Sequence, residues 1–355
     1  MYPQIIIDLN KVEENSKIIL EKTKAVGIKP CAVTKVTCAD IEVAKTLLES
    51  GFEELADSRI ENIKKLKSHF DNKVKTLLLR IPMISQAKEV VQYCDTSLNS
   101  EIETIKALDK AASDLGKKHN IILMVDLGDL REGIWPSSIE KVQEELRKLG
   151  NINVLGLGVN LTCYGGVIPT EEKLEELLEL KANWEHKGMP LKVVSGGNSS
   201  TINMVLEGKI PTGINHLRLG ESLLLGRETI DRGHIPNTHL DAFVLVAEIV
   251  EIKEKPSLPI GTIGQDAFGN SPVFQDRGVH KRAIVAIGRQ DVDLNLEPID
   301  ERIEILGGSS DHIILDVTAI PTLKVGDKVE FIPGYGSLLQ AMTSPYVKKV
   351  YKHSK

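Results

Sequence analysis

The sequence predicts an α/β chain, an N-terminal (β/α)₈ barrel of the TIM type followed by a mostly-β domain. Three observations carry this. Short apolar runs alternate with helical patterns from Asp8 to about Arg227. The apolar runs number eight, as a closed barrel of parallel strands requires. Near His234-Ile235-Pro236-Asn237 the helical periodicity largely stops, and strand-like runs separated by Pro and Gly clusters take over.

The elements follow in order. Gln4–Ile7 is a short apolar run ahead of the barrel that needs a sheet to pair with, and the β domain can supply one. A first helix is expected from Asn10 or Lys11, with Asp8 as a possible cap. The barrel strands are read at 30–34, 53–57, 75–80, 94–98, 121–126, 152–159, 192–195 and 215–219. Helical stretches lie between them, including Ile41–Ser50, Glu101–Lys117, Ile139–Leu149 and Glu171–His186. A doubly wound open sheet would show a phosphate-binding glycine fingerprint after its first strand, and none follows Thr34. In the second domain, strands are read at Asp241–Ile252, Ala283–Ile287, Arg302–Leu306, His312–Val317 and Lys328–Ile332. The barrel domain is thus set at residues 8–233, and the β domain at 1–7 with 234–355.

Charge and composition exclude several classes. The net charge of −6 offers no basic surface for nucleic acid or an anionic membrane. The first residues lack a signal peptide's charged leader, and no apolar run approaches the length of a membrane span. Cys31, Cys38, Cys94 and Cys163 are scattered without metal-ligand pairing or a disulfide framework, so no metal is expected and a reducing cytoplasm fits.

The strand ends form one candidate surface. A barrel of this kind opens its active site at the carboxyl ends of its strands. There the chain places Lys35, then Asp57-Ser58-Arg59, Arg80, Asp126 and Arg131, Asn160, Ser195 and Arg218. Each alone is an ordinary surface or capping residue; their recurrence at one end argues for a site. A lysine partly shielded from water sheds its proton and attacks a carbonyl, here the aldehyde of pyridoxal 5′-phosphate. Ser195-Gly196-Gly197-Asn198-Ser199-Ser200 reads as a phosphate cradle. Its glycines allow close backbone approach, its serines supply hydroxyls, and a helix from about Thr201 aims its N-terminus at the anion. Leu219-Gly220-Glu221-Ser222 adds backbone donors beside it.

Together these residues resemble the alanine racemase family of pyridoxal-phosphate enzymes, over nearly the whole chain. Ala32-Val33-Thr34-Lys35 is similar to the strand whose lysine binds the cofactor covalently, and Asn198-Ser199 to the phosphate-binding pair. His216-Leu217-Arg218-Leu219-Gly220 resembles the strand whose arginine faces the pyridine nitrogen. Asp126–Gly133 resembles the segment whose arginine, Arg131, helps bind substrate. Asn160 stands where the family usually stacks a histidine on the ring. The resemblance also implies cofactor contacts for Ser200, Gly220, Glu221 and Tyr346. Glu54–Asn62 and Gly264–Gly269 are most similar to a subgroup that interconverts L- and D-ornithine.

The implied reaction is racemisation through an external aldimine, with Cα proton exchange on two faces. Lys35 serves one face; Asp266 and Asp311 are the candidates for the other, with His312 behind them. The distal amine of ornithine calls for a carboxylate, and Asp57, Asp126, Asp129, Asp266 and Asp311 are available to it, Asp57 and Asp311 foremost, with Arg131 on the carboxylate end. Met124 stands where many family members carry a modified lysine, and the family's second-base tyrosine has no clear match. Ser309-Ser310 lies where decarboxylases of this fold place a cysteine. The resemblance further implies a homodimer, the β domain of one subunit completing the partner's site. The alternatives are racemases of alanine, lysine or broad range, and a non-catalytic pyridoxal-phosphate homeostasis protein. Such a protein is a single barrel without the β extension. An aldolase of this fold needs a C-terminal metal site, which His280 and His312 lack the spacing to form.

Overall fold

The computed structural model describes residues 1–271 and 273–353. The chain divides into two compact units, Lys11–His239 and Met1–Asn10 with Leu240–Lys355. A first strand, β1 (Gln4–Asp8), belongs to the second unit. The barrel strands are β2 (Cys31–Val33), β3 (Glu54–Asp57), β4 (Lys75–Leu78), β5 (Thr96–Asn99), β6 (His119–Val125), β7 (Ile152–Val159), β8 (Val193–Ser195) and β9 (Arg218–Leu219). Each pairs in parallel with its neighbour, in the order β8-β7-β6-β5-β4-β3-β2-β9. The ring closes where Ser195 at the end of β8 bridges His216, two residues before β9.

Alternation along each strand sorts side chains between two layers. Leu77 points into the barrel with Cys31, Val33, Ala56, Leu98, Ile122 and Met124. Its neighbour Leu78 points outward onto Ile63, Val90 and Leu108 of the surrounding helices. Each fully buried Leu or Ile contributes roughly 1.5–3 kcal/mol. Surface ion pairs such as Lys110–Asp114 contribute about 0–1 kcal/mol each, so the two apolar layers dominate. Met124 is part of this apolar interior.

The helices begin where short polar side chains cap them. Asp40 accepts from the Val43 N–H at 3.1 Å to start Ile41–Glu49, and Thr170 accepts from the Lys173 N–H at 3.3 Å to start Glu171–His186. The first helix starts earlier than expected, at Leu9.

The second unit is an antiparallel sheet of β10 (Phe243–Pro256), β11 (Val279–Val285), β12 (Leu296–Pro298), β13 (Glu304–Gly308), β14 (Ile313–Asp316), β15 (Lys328–Pro333) and β16 (Lys348–Lys352). β1 lies between β10 and β16, antiparallel to the first and parallel to the second. Three elements here were not expected from sequence: β12, β16 and a helix at Tyr335–Thr343. The strands are too short for a periodic signal, and the helix starts from Gly334, which has no side chain to cap it.

Candidate active site

Lys35 directly follows β2 and opens a short 3-10 turn over Lys35–Thr37. Burial pulls its amine below the ordinary lysine value of 10.5. Arg131 pulls in the same direction, while Cys163, Asp57 and Glu132 oppose it. These groups come from the loops after β3, β6 and β7, so the carboxyl ends of separate strands meet around one amine. Cys163 and Glu132 were not picked out in the sequence; only the fold brings them to Lys35.

Asp57 is fully buried at the end of β3. Its carboxylate accepts from Thr34 Oγ1 at 2.8 Å, Asn62 Nδ2 at 2.9 Å and the Arg59 N–H at 3.1 Å. Burial raises its pKa above the ordinary 3.8, and those hydrogen bonds only partly oppose the rise. Arg131 is partly exposed and paired with Glu132. Asp129, fully buried, staples the loops after β6 and β7. It accepts the N–H groups of Tyr164 at 2.9 Å, Val167 at 3.1 Å and Cys163 at 3.3 Å.

The cradle after β8 is preformed. Asn198 Oδ1 accepts the Ser200 N–H at 2.8 Å, and Asn198 Nδ2 donates to Asn160 Oδ1 at 3.0 Å and to Leu161 O at 2.9 Å. Gly197 has φ +126°, and a Cβ there would lie 2.5 Å from Thr201 Oγ1, so no other residue fits this turn. Ser199 Oγ lies 3.1 Å from Ser222 Oγ and accepts the Ser222 N–H at 3.2 Å and the Gly220 N–H at 3.4 Å. Ser200 Oγ is fully buried and has no partner among the described residues. A buried hydroxyl left unpaired costs about 1–3 kcal/mol, which an incoming phosphate oxygen would relieve. The site residues therefore fit the phosphate of pyridoxal 5′-phosphate. Glu221, at the same loop, is buried and paired with Arg232 at 2.8 Å; burial raises its pKa.

Arg218 begins β9 and is buried. Its guanidinium donates to Ser195 Oγ, to Val159 O at 2.8 Å and to Asn160 Oδ1 at 3.3 Å. Burial brings its pKa down to about 10, which leaves it charged at neutral pH. The sequence singled out Ser195 among the strand ends, but not the His216 and Glu54 side chains below it. Ser195 Oγ lies 2.8 Å from His216 Nδ1, and His216 Nε2 lies 3.3 Å from Glu54 Oε2. One signal was available, since residues 216 and 218 share a strand face.

In the β unit, Asp266 is exposed and closes its own turn, accepting from the N–H groups of Asn270 at 2.8 Å and Phe268 at 2.9 Å. These bonds hold its pKa below the ordinary 3.8. Asp311 is exposed between β13 and β14 and accepts from Ser310 Oγ at 3.0 Å. Tyr346 is exposed, just before β16.

The model for the alanine racemase N-terminal domain matches residues 7–228. An ornithine racemase from Acetoanaerobium sticklandii is 50% identical over 353 residues, covering 98% of this chain and 99% of its own. A lysine racemase from Thermotoga maritima is 42% identical over 356 residues, covering 100% and 99%. The crystal structure of an alanine racemase from Bartonella henselae with covalently bound pyridoxal phosphate shares the fold. Its TM-score is 0.75 at 17% identity, with 99% of this chain and 100% of that one covered. The chain belongs to the alanine racemase family. It is an isomerase of the racemase class, with pyridoxal 5′-phosphate as cofactor. No helix of the described residues is long and apolar enough to cross a membrane.

Proposed function

We propose that the enzyme interconverts L- and D-ornithine. One structural observation carries the chemistry: a desolvated lysine and an unpartnered buried serine hydroxyl stand at the carboxyl ends of strands in one barrel. The substrate rests on the 50% identity to an ornithine racemase along almost the whole chain.

When bound, the cofactor draws electron density from the amino acid's Cα, so that its proton becomes exchangeable. Ser199, Ser200, Asn198 and the N–H groups around Gly220 and Glu221 hold the phosphate end, with Tyr346 assigned to the same group. Lys35 anchors the aldehyde end. Its lowered pKa keeps a larger share of the amine unprotonated near neutrality, as both attachment and proton removal require. Asn160 and Arg218 would lie on the ring side of the cofactor. A guanidinium donates a hydrogen bond but keeps its own proton, so Arg218 would steady the ring nitrogen without protonating it. Arg131 takes the substrate carboxylate. Asp57, already holding three hydrogen bonds, contributes its charge to the surroundings of Lys35, and Asp311 is assigned the distal amine. Asp266 or Asp311 exchanges the proton on the second face, with His312 behind them. Two copies of the chain assemble in this reading, the β unit of one completing the barrel site of the other. The four unpaired cysteines suit a reducing cytoplasm.

The test is a substrate panel of L-ornithine, L-lysine and L-alanine, each followed by chiral separation and Cα deuterium exchange. Ornithine is expected to give the highest kcat/KM, with alanine at least about ten-fold lower because it brings no distal amine to Asp311, a loss of about 1.4 kcal/mol or more. A higher kcat/KM for lysine or alanine would overturn the assignment.

A further inference from the structure

Arg218 is a buried cation whose acceptors among the described residues, Ser195 Oγ, Val159 O and Asn160 Oδ1, are all uncharged. A buried charge without a carboxylate partner is costly. A hydrogen-bonded route to a carboxylate runs toward the amino ends of the strands, away from the catalytic mouth. Ser195 Oγ already accepts from Arg218, so its own hydrogen is free to go to His216 Nδ1 at 2.8 Å. His216 Nδ1 is then the acceptor, and the ring hydrogen sits on Nε2, facing Glu54 Oε2 at 3.3 Å. A second proton on Nδ1 would turn this bond around and set another cation beside Arg218.

The same neighbourhood could be read as a metal site, since Cys31, Glu54 and His216 bring ligand atoms within 4.8 Å of one another. Two facts oppose that. Burial, and then Glu54, push the Cys31 thiol well above its ordinary value, so a metal would have to displace a firmly held proton to gain this ligand. Arg218 pairs in register with Cys31 and would face any cation bound there.

We propose that His216 and Glu54 are positioning residues that act through Ser195 on Arg218. Glu54 holds the ring hydrogen of His216 on Nε2, and His216 Nδ1 holds the Ser195 hydroxyl hydrogen. Ser195 then turns its lone pairs to the guanidinium, which stays charged and aimed at the cofactor's pyridine nitrogen. This rests on the reading that Arg218 faces that nitrogen.

The first measurement needs no loaded enzyme. In protein labelled with ¹⁵N-histidine, with and without cofactor, His216 (identified by loss of its signals in His216→Asn) is expected to show one protonated Nε2 and one bare Nδ1 at neutral and mildly alkaline pH. A charged ring, or the Nδ1–H form, overturns the proposal even if every variant misfolds. In the holoenzyme, Glu54→Gln and Ser195→Ala are expected to move the visible absorbance of the bound cofactor and its ring ¹⁵N signal the same way. The expected fall in kcat is about ten-fold at unchanged KM, the size of one charge-assisted hydrogen bond. If Arg218→Ala moves the cofactor signals while Glu54→Gln and Ser195→Ala leave them at wild-type values, the relay is overturned and the placement of Arg218 stands. If Arg218→Ala also leaves them unmoved, that placement fails and the proposal with it. Stoichiometric zinc in the purified protein, lost in Glu54→Gln, would make the trio a ligand set and overturn the relay as well.

Discussion

In the barrel, Asp57, Asp129 and Arg218 are buried and held by bonds that reach other strands and loops. In the β unit, the candidate acids are exposed and held by their own turns. Asp57 takes hydrogen bonds from Thr34, Arg59 and Asn62, and Asp129 ties together two loops. Asp266, by contrast, bonds only to Phe268 and Asn270, and Asp311 only to its neighbour Ser310, among the bonds described. The difference teaches how the work is divided. A group locked by several buried partners has its geometry set before any ligand arrives, which suits cofactor binding. A group set only by a local turn is free to be presented to another surface, which suits a residue that completes a site elsewhere.

The largest effect is expected at the most central barrel residue. Lys35→Ala should lower racemisation by on the order of 10³-fold or more. Borohydride treatment should then leave no cofactor mass on the polypeptide, as read by mass spectrometry. Retained mass would move the anchor off β2 and break the barrel side of the comparison. Next come the exposed acids. Of Asp266→Asn and Asp311→Asn, one should lower racemisation by about 10²-fold while Cα exchange from one enantiomer survives and cofactor affinity stays unchanged. Wild-type rates in both would remove the β unit's part in proton transfer. Ser200→Ala should leave the thermal midpoint of the cofactor-free protein in place or raise it, because the buried hydroxyl has no partner to lose. Its cofactor affinity, measured by equilibrium dialysis, should fall about ten-fold. A drop in Tm without loss of affinity would make Ser200 a structural residue.

The same contrast governs what the sequence could tell. β7 was legible to the residue, since Ile152–Val159 is a run of strand length interrupted by a single polar residue, Asn153, and so was the Thr170-capped helix 171–186. β9 is only two residues long, the last part of the run expected at 215–219. The strand-end residues Lys35 and Arg218 stand out because a barrel concentrates function at one end. The partners that set their properties do not. Glu54 and His216 lie 162 positions apart, and Cys163 meets Lys35 only through loop geometry. Long-range polar contacts leave no local pattern, whereas strand and helix periods do.

The smallest effect concerns Asp57, and it tests whether a locked group is tuned as well as placed. Burial raises its pKa, so the native state binds this proton more readily than the unfolded chain does. The stabilisation is complete below the ordinary 3.8 and is lost as pH rises through the native value. Asp57→Asn should abolish that component, leaving Tm a few degrees less sensitive to pH across the window, as thermal scans at stepped pH would register. The fold should survive the change. The amide oxygen still accepts from Arg59 and Asn62, and Thr34 Oγ1 can give its hydrogen to Ala56 O, 3.3 Å away, while accepting from the new NH₂. Asp57 also supports the charged form of Lys35, so its loss should move the pH midpoint for cofactor attachment downward. An upward shift, or none, would mean that the carboxylate braces the strand without tuning the amine.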